Sequence, residues 1–190
     1  MQTEEKKPEI IVFAGPNGSG KSTITKLARV VEPYINADDI KRTIHCSDME
    51  AALKAEELRE AALSELSDFT FETVLSTDRN INLLNRAKGK GYFIRCIYVL
   101  TESPEINEIR VLARESHGGH GVPVEKIRSR YERCLNLIPE LVEICDVMHI
   151  YDNSKEPFRI FKKRKSEYFH WENEFWDKIR IEELTGKNCN

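Results

Sequence analysis

Residues 15–22 read Gly-Pro-Asn-Gly-Ser-Gly-Lys-Ser, which fits the spacing G-x-x-x-x-G-K-[ST] of a phosphate-binding loop. Glycines let the backbone curl until consecutive N–H groups face one concave nest around a phosphate. Lys21 can then reach the β- and γ-phosphates of a nucleotide, the Ser22 hydroxyl can ligate Mg²⁺, and the helix that starts here adds its positive end. Gly15, Pro16, Asn17, Gly18, Ser19, Gly20, Lys21, Ser22 and Thr23 are thus the expected triphosphate contacts, with ATP and Mg²⁺ as cofactors.

The loop needs a strand before it and a helix after it, and both are legible. Glu9 to Ala14 is a short apolar, β-branched run suited to a buried parallel strand. From Ser22 onward apolar residues recur at helical spacing. Further on, Tyr34–Asp39 predicts a short strand that ends in two carboxylates. Ser47-Asp48-Met49-Glu50 predicts a capping box that opens a helix to about Leu66. In that helix Leu58, Ala62 and Leu66 form the expected apolar stripe, with Glu56, Glu57, Arg59 and Glu60 solvated. Phe69–Leu75 predicts a strand, 79–88 a helix stopped by Gly89 and Gly91, and Tyr92–Leu100 the strongest strand. Pro104 opens a helix that ends near Gly118-Gly119, Pro123 opens another, and Pro139 breaks or kinks it. Val147–Tyr151 predicts a last central strand. Phe158–Phe169 alternates basic and aromatic residues as an edge strand or hairpin, and Trp171–Leu184 predicts an amphipathic helix. Five β-runs interleaved with helices imply a parallel sheet covered on both faces, in one domain spanning 1–190.

Ligands of open α/β sheets sit beyond the carboxyl ends of the strands. There the sequence places the Gly-rich loop, then Asp38 and Asp39, then Glu72, Thr73, Ser76 and Thr77, then Asp152 and Asn153. Phosphoryl transfer needs a base for the acceptor hydroxyl and cations on the migrating phosphate. Asp38 is the candidate base, though an Asp before Ile40 serves equally well as a helix N-cap. Glu72 lies inside an apolar strand, where an unpaired charge is costly, so contact with substrate or Mg²⁺ is expected of it, with Thr73 beside it. Asp152 is either the end of a second nucleotide motif or a turn residue. Arg110, Arg114 and His117 share one helix face. Gly118-Gly119-His120-Gly121, Arg128 and Arg130 follow, and a closing lid over phosphates, about residues 103–138, is expected. Arg130 falls on the apolar stripe Ile127, Tyr131, Cys134, Ile138, so an anionic partner is expected for it.

The chain has 190 residues, a net charge of -3 and a pI of about 6.0. That balance offers no global attraction for nucleic acid, although Lys162-Lys163-Arg164-Lys165 keeps a nucleic-acid-end kinase in view. The five cysteines are scattered and form no C-x-x-C pair, so reduced thiols are expected, with neither zinc nor a disulfide framework. The charged N-terminus has no apolar h-region and no run reaches the length of a membrane span, so no membrane partner and a cytoplasmic location are expected.

Gly-Pro-Asn-Gly-Ser-Gly-Lys-Ser-Thr (15–23), Asn-Ala-Asp-Asp-Ile (36–40), Phe-Glu-Thr-Val-Leu-Ser (71–76) and Gly-Gly-His-Gly-Val-Pro (118–123) with Arg-Ser-Arg-Tyr-Glu-Arg (128–133) resemble, in that order, the small stand-alone members of the zeta toxin family. The resemblance implies a three-layer αβα P-loop NTPase core like that of nucleotide kinases, with a parallel sheet of about five strands, a helical lid and a C-terminal extension over 157–190. It also implies ATP-dependent phosphorylation of a small-molecule hydroxyl, a nucleotide-sugar acceptor and a protein antitoxin that holds the kinase off. Asp38 matches the family's catalytic base, Lys21 its loop lysine and Glu72 its acceptor contact. Arg110 and His120 lie roughly where two phosphate-clamping arginines are expected. His120 is not an arginine, so Arg114, Arg128 or Arg130 is left to supply the second clamp. A nucleoside, nucleotide or antibiotic kinase and an ATP-dependent switch protein are the competing readings.

Overall fold

The computed structural model describes residues 6–116 and 121–189. Strand β1 (Glu9–Ala14) is buried along its whole length, as its apolar run predicts, and the Gly-rich loop carries the chain into α1 (Lys21–Thr25). There follow β2 (Tyr34–Ile35), α2 (Ala37–Ile44), α3 (Asp48–Glu65), β3 (Phe69–Thr73), α4 (Asp78–Gly89), β4 (Phe93–Leu100), α5 (Pro104–Ser116), α6 (Val124–Asn136), α7 (Ile138–Ile144), β5 (Val147–Asp152), β6 (Phe158–Arg164), β7 (Glu167–His170) and α8 (Lys178–Thr185).

Among the described residues the strands form one sheet in the order β2-β3-β1-β4-β5-β6-β7. The first five are parallel; β6 and β7 add an antiparallel hairpin beside β5. The fold is therefore α/β with the expected five parallel strands, widened at one edge by the basic-aromatic segment. From β1 the chain travels to β2 and β3 on one side and to β4 and β5 on the other. The phosphate loop thus leaves the sheet at a topological switch point.

Proline and capping signals hold where they are local. Ser47 caps α3 through a capping box with Glu50, and Pro139 sits in the first turn of α7, immediately after α6 has ended. Pro123 itself is the N-cap residue of α6.

Three expectations are corrected. The Tyr34–Asp39 strand is only Tyr34–Ile35, and its carboxylates lie in the first turn of α2. The buried stripe of α3 is Ala51, Ala55, Arg59, Ala62 and Leu63, whereas Leu58 and Leu66 are 40% and 51% exposed. The alanines let the helix approach the sheet closely, and the Arg59 guanidinium lies over the Phe71 ring at 5.3 Å, so Arg59 is not solvated. The tail is helical only from Lys178; before it Trp176 is buried in the core.

The five cysteines are free thiols, four of them buried. No helix among the described residues is long and apolar enough to cross a membrane. Residues 117–120, which include His117, Gly118, Gly119 and His120, lie outside the described residues, so the His120 clamp is not described.

Candidate active site

The loop geometry follows from its glycines. Gly15 has φ +141°, and a Cβ there would lie 1.9 Å from the Val99 carbonyl oxygen. Gly20 has φ +92°, and its Cβ would lie 2.2 Å from Asn153 Nδ2. Both positions exclude a side chain sterically and conformationally. Lys21 is buried, and its Nζ donates to the carbonyls of Gly15 at 2.8 Å and Pro16 at 3.1 Å. Burial lowers its pKa; the charges of Glu72, Cys134 and Asp38 oppose that shift and Arg114 reinforces it. Lys21 therefore shares one electrostatic field with both expected carboxylates and with an α5 arginine.

Beside the loop lies a cleft of about 240 Å³ lined by Ser22, Thr25, Lys26, Tyr34, Asn36, Asp38, Asp39, Arg42 and Glu72. Asn36 caps α2, its Oδ1 accepting the Asp38 backbone N–H at 2.9 Å. The capping task thus falls to Asn36, and the Asp38 carboxylate faces the cleft with Ser22. Glu72 is half-buried and accepts a hydrogen bond from the Tyr34 hydroxyl at 3.0 Å and one from Asn36 Nδ2 at 3.4 Å. That pairing lets a charge stand within an apolar strand. Burial, then the charge of Glu72, pushes the Tyr34 phenol up to about 12.

Other expected residues have other employment. The Thr73 hydroxyl accepts the Leu75 N–H at 3.0 Å and Asn80 Nδ2 at 2.7 Å, closing the turn after β3 instead of lining the cleft. Asp152 ends β5 and its side chain closes the turn that follows: its Oδ1 accepts the Ser154 N–H at 3.0 Å and its Oδ2 accepts Asn173 Nδ2 at 2.9 Å. Arg128 pairs with Glu108, one contact being 3.1 Å, and with Glu105 at 3.7 Å, joining α6 to α5. Arg130 donates to Asn17 Oδ1 of the loop at 3.3 Å. Its partner is thus an amide of the phosphate loop and not an anion. Arg110 donates Nη2 to the Ser154 carbonyl at 3.0 Å, and its Nη1 is buried without a partner.

Sequence reasoning missed Tyr34 and Arg42 of the cleft, and it missed two buttresses of the loop. Buried Asn153 donates Nδ2 to the Ser19 carbonyl at 2.7 Å. Buried Asn107 on α5 lies under Gly18, whose Cβ would be 2.6 Å from the Asn107 carbonyl oxygen. Both contacts are tertiary, and neither residue carries a local signal. Ser19 Oγ and Asn107 Nδ2 are themselves buried without hydrogen-bond partners.

A phosphate loop at the switch point of a parallel sheet, with a buried lysine and an adjoining acidic cleft, is the arrangement of a P-loop nucleotide-binding fold. The family model described as Zeta toxin matches residues 1–166, and the chain belongs to the zeta toxin family. An uncharacterised protein of Haemophilus influenzae is 32% identical over 127 residues, 64% of this chain and 91% of that one. Among solved structures, the PezAT chromosomal toxin-antitoxin system of Streptococcus pneumoniae superposes with a TM-score of 0.60 at 18% identity, covering 83% of this chain and 73% of that chain. The AvrRxo1-ORF1:-ORF2 structure with ATP gives 0.69 at 13% identity, covering 88% and 61% respectively. At these identities the structural likeness shows the fold.

Proposed function

We propose that the protein transfers the γ-phosphate of ATP to a hydroxyl of a small molecule, and that the acceptor is a nucleotide sugar. The observation that carries the reading is the cleft in which Ser22 of the phosphate loop meets the Asp38 and Glu72 carboxylates. The residues fit a magnesium nucleotide. The glycine cradle has no room for Cβ atoms, Lys21 supplies the cation, and Ser19 Oγ, Asn107 Nδ2 and Arg110 Nη1 are buried polar atoms without partners around the loop. Mg²⁺ would be held by Ser22 and by phosphate oxygens, and when bound it neutralises charge on the β- and γ-phosphates.

In this reading the loop amides and Lys21 hold the triphosphate. The acceptor lies in the cleft, oriented by Glu72, whose own position is set by Tyr34 and Asn36. Asp38 accepts the proton of the acceptor hydroxyl as its oxygen bonds to the γ-phosphorus and ADP departs. Arg130, Arg114 and Arg110 supply positive charge from the α5–α6 side, which closes as a lid. Arg128, tied to Glu108, holds the two helices together instead of clamping phosphate. Family membership and the toxin-antitoxin system of the PezAT structure support a protein antitoxin as partner; the proposed site of action is the cytoplasm.

The test is incubation with ATP, Mg²⁺ and a panel of nucleotide sugars, nucleosides, nucleotides and aminoglycosides, read by mass spectrometry. A nucleotide sugar one phosphate heavier, absent with Lys21→Ala, is expected. Phosphorylation of another class in the panel would replace the acceptor assignment. ADP formation with no phosphorylated acceptor would point to a switch protein and overturn the kinase reading.

A further inference from the structure

The antiparallel hairpin builds a second surface that the kinase reading does not use. Ile97, His149, Lys162 and Phe169 stand in one row across β4, β5, β6 and β7. Side chains alternate between faces along a strand, so Arg95 and Tyr151 share this face. Arg159 would point away from Lys162, three residues on, but for the register shift between Ile150 and Tyr151. The bulge puts Ile160 and Phe161 both into the core and returns Arg159 opposite Tyr151. Arg95, His149, Tyr151, Arg159, Lys162 and Phe169 are all half-buried, in contrast to the fully buried Ile11 and Phe13 further along the same face.

Three cations on this face lie against rings, and Arg164, opposite Val147 on the same face, is exposed. Arg95 is 5.6 Å from the Phe93 centroid, Lys162 is 5.8 Å from Phe169, and Arg159 is 4.2 Å from the ring of Trp171. Glu9, the acid beside Arg95, is already engaged by Arg95 and Arg29. His149 is pushed down to about 4 by burial and then by Arg159, Lys162 and Arg95, so the three cations share one field. Lysines on a sheet edge ordinarily guard against edge pairing. Here the row also reaches the interior strand β4, where Arg95 is paired with Glu9, so Arg159 and Lys162 are the cations left for a ligand.

We propose that this face binds single-stranded nucleic acid. The negative balance of the whole chain does not oppose it, because Arg95, Arg159 and Lys162 lie together on one sheet face. Rings and guanidinium planes on a sheet stack unpaired bases while cations neutralise the backbone. An oligo-Glu peptide has no aromatic bases to stack on the rings, and a duplex keeps its bases inside.

Fluorescence anisotropy on the full chain tests this, using labelled oligo-dT and oligo-U of about 12 nucleotides, a duplex of the same length and an oligo-Glu peptide. Both single strands are expected to bind at about 50 mM salt, with affinity falling steeply as salt rises. Arg159→Gln with Lys162→Gln should weaken binding about tenfold and reduce the salt slope by roughly 0.7 per cation removed. Tyr151→Leu should weaken it about fivefold. Thermal unfolding confirms that the variants fold, and Lys162→Gln alone serves if the pair does not. A preference between oligo-U and oligo-dT tells which sugar the face reads, and either supports the proposal. No binding below about 100 µM, equal binding of oligo-Glu with no effect of Tyr151→Leu, or binding lost in Lys21→Ala but kept in the double variant would each overturn it.

Discussion

At the residue scale, one asparagine frees the Asp38 carboxylate and helps to hold that of Glu72. Asn36 takes the cap of α2, Tyr34 and Asn36 hold Glu72, and Asp38 is left facing the cleft with Ser22. Glu72→Gln removes part of what raises the Tyr34 phenol, so ultraviolet titration should show Tyr34 ionising below about 12 in that variant. The same change should raise the KM for the acceptor more than the KM for ATP. Asn153→Ala should raise the KM for ATP several-fold and cost about 1 kcal/mol of stability, because it deletes the buried hydrogen bond to the Ser19 carbonyl. Measured KM values and denaturant unfolding check both. The phosphate loop was legible because its meaning lies in eight adjacent residues. The contact of Asn153 was not, since it reaches Gly20 from the far end of the chain and an isolated Asn after a strand carries no signal.

At the scale of elements, the arginines of α5 and α6 divide by what they touch. Arg128 joins the two helices through Glu108 and is 55% exposed, so Arg128→Gln should leave the thermal midpoint nearly unchanged and the KM for ATP unchanged. Arg130 touches Asn17 of the loop, so Arg130→Gln should lower the rate of phosphoryl transfer at least tenfold with the fold intact. Steady-state kinetics on the two variants separates these roles. The sequence placed both arginines on basic helices but could not sort them, because the sorting depends on how α6 rotates against α5. The error in α3 has a similar origin. Two stripes run along that helix at nearly the same period; hydropathy favours the one with Leu58 and Leu66, while close packing selects the alanines and Arg59. Where an element is signalled by its ends, as with the Ser47 capping box or Pro139, the reading and the structure agree.

At the scale of the whole molecule, one sheet carries a phosphate loop at its switch point and a cationic face toward the edge that the hairpin adds. That face leaves a signature in stability against pH. His149 titrates near 4 when folded, against 6.5 for an ordinary histidine. Between those values the unfolded chain binds the extra proton, so stability rises with pH across this window and is lost as pH falls through it. His149→Gln should remove that part of the slope, and denaturant unfolding at several pH values, compared with the unsubstituted chain, measures it. The parallel core and an added edge strand or hairpin over Phe158–Phe169 were legible, but the strand order, the bulge and the register were not, because they are properties of paired strands and not of either strand alone. The central claim concerns the other end of the sheet, where Asp38 activates the acceptor held beside the loop. Its most direct test is phosphoryl transfer by Asp38→Asn, with ATP affinity followed by calorimetry in the same preparation. The expected result is a fall of about 10²–10⁴-fold in turnover with ATP affinity retained; undiminished turnover would contradict the account.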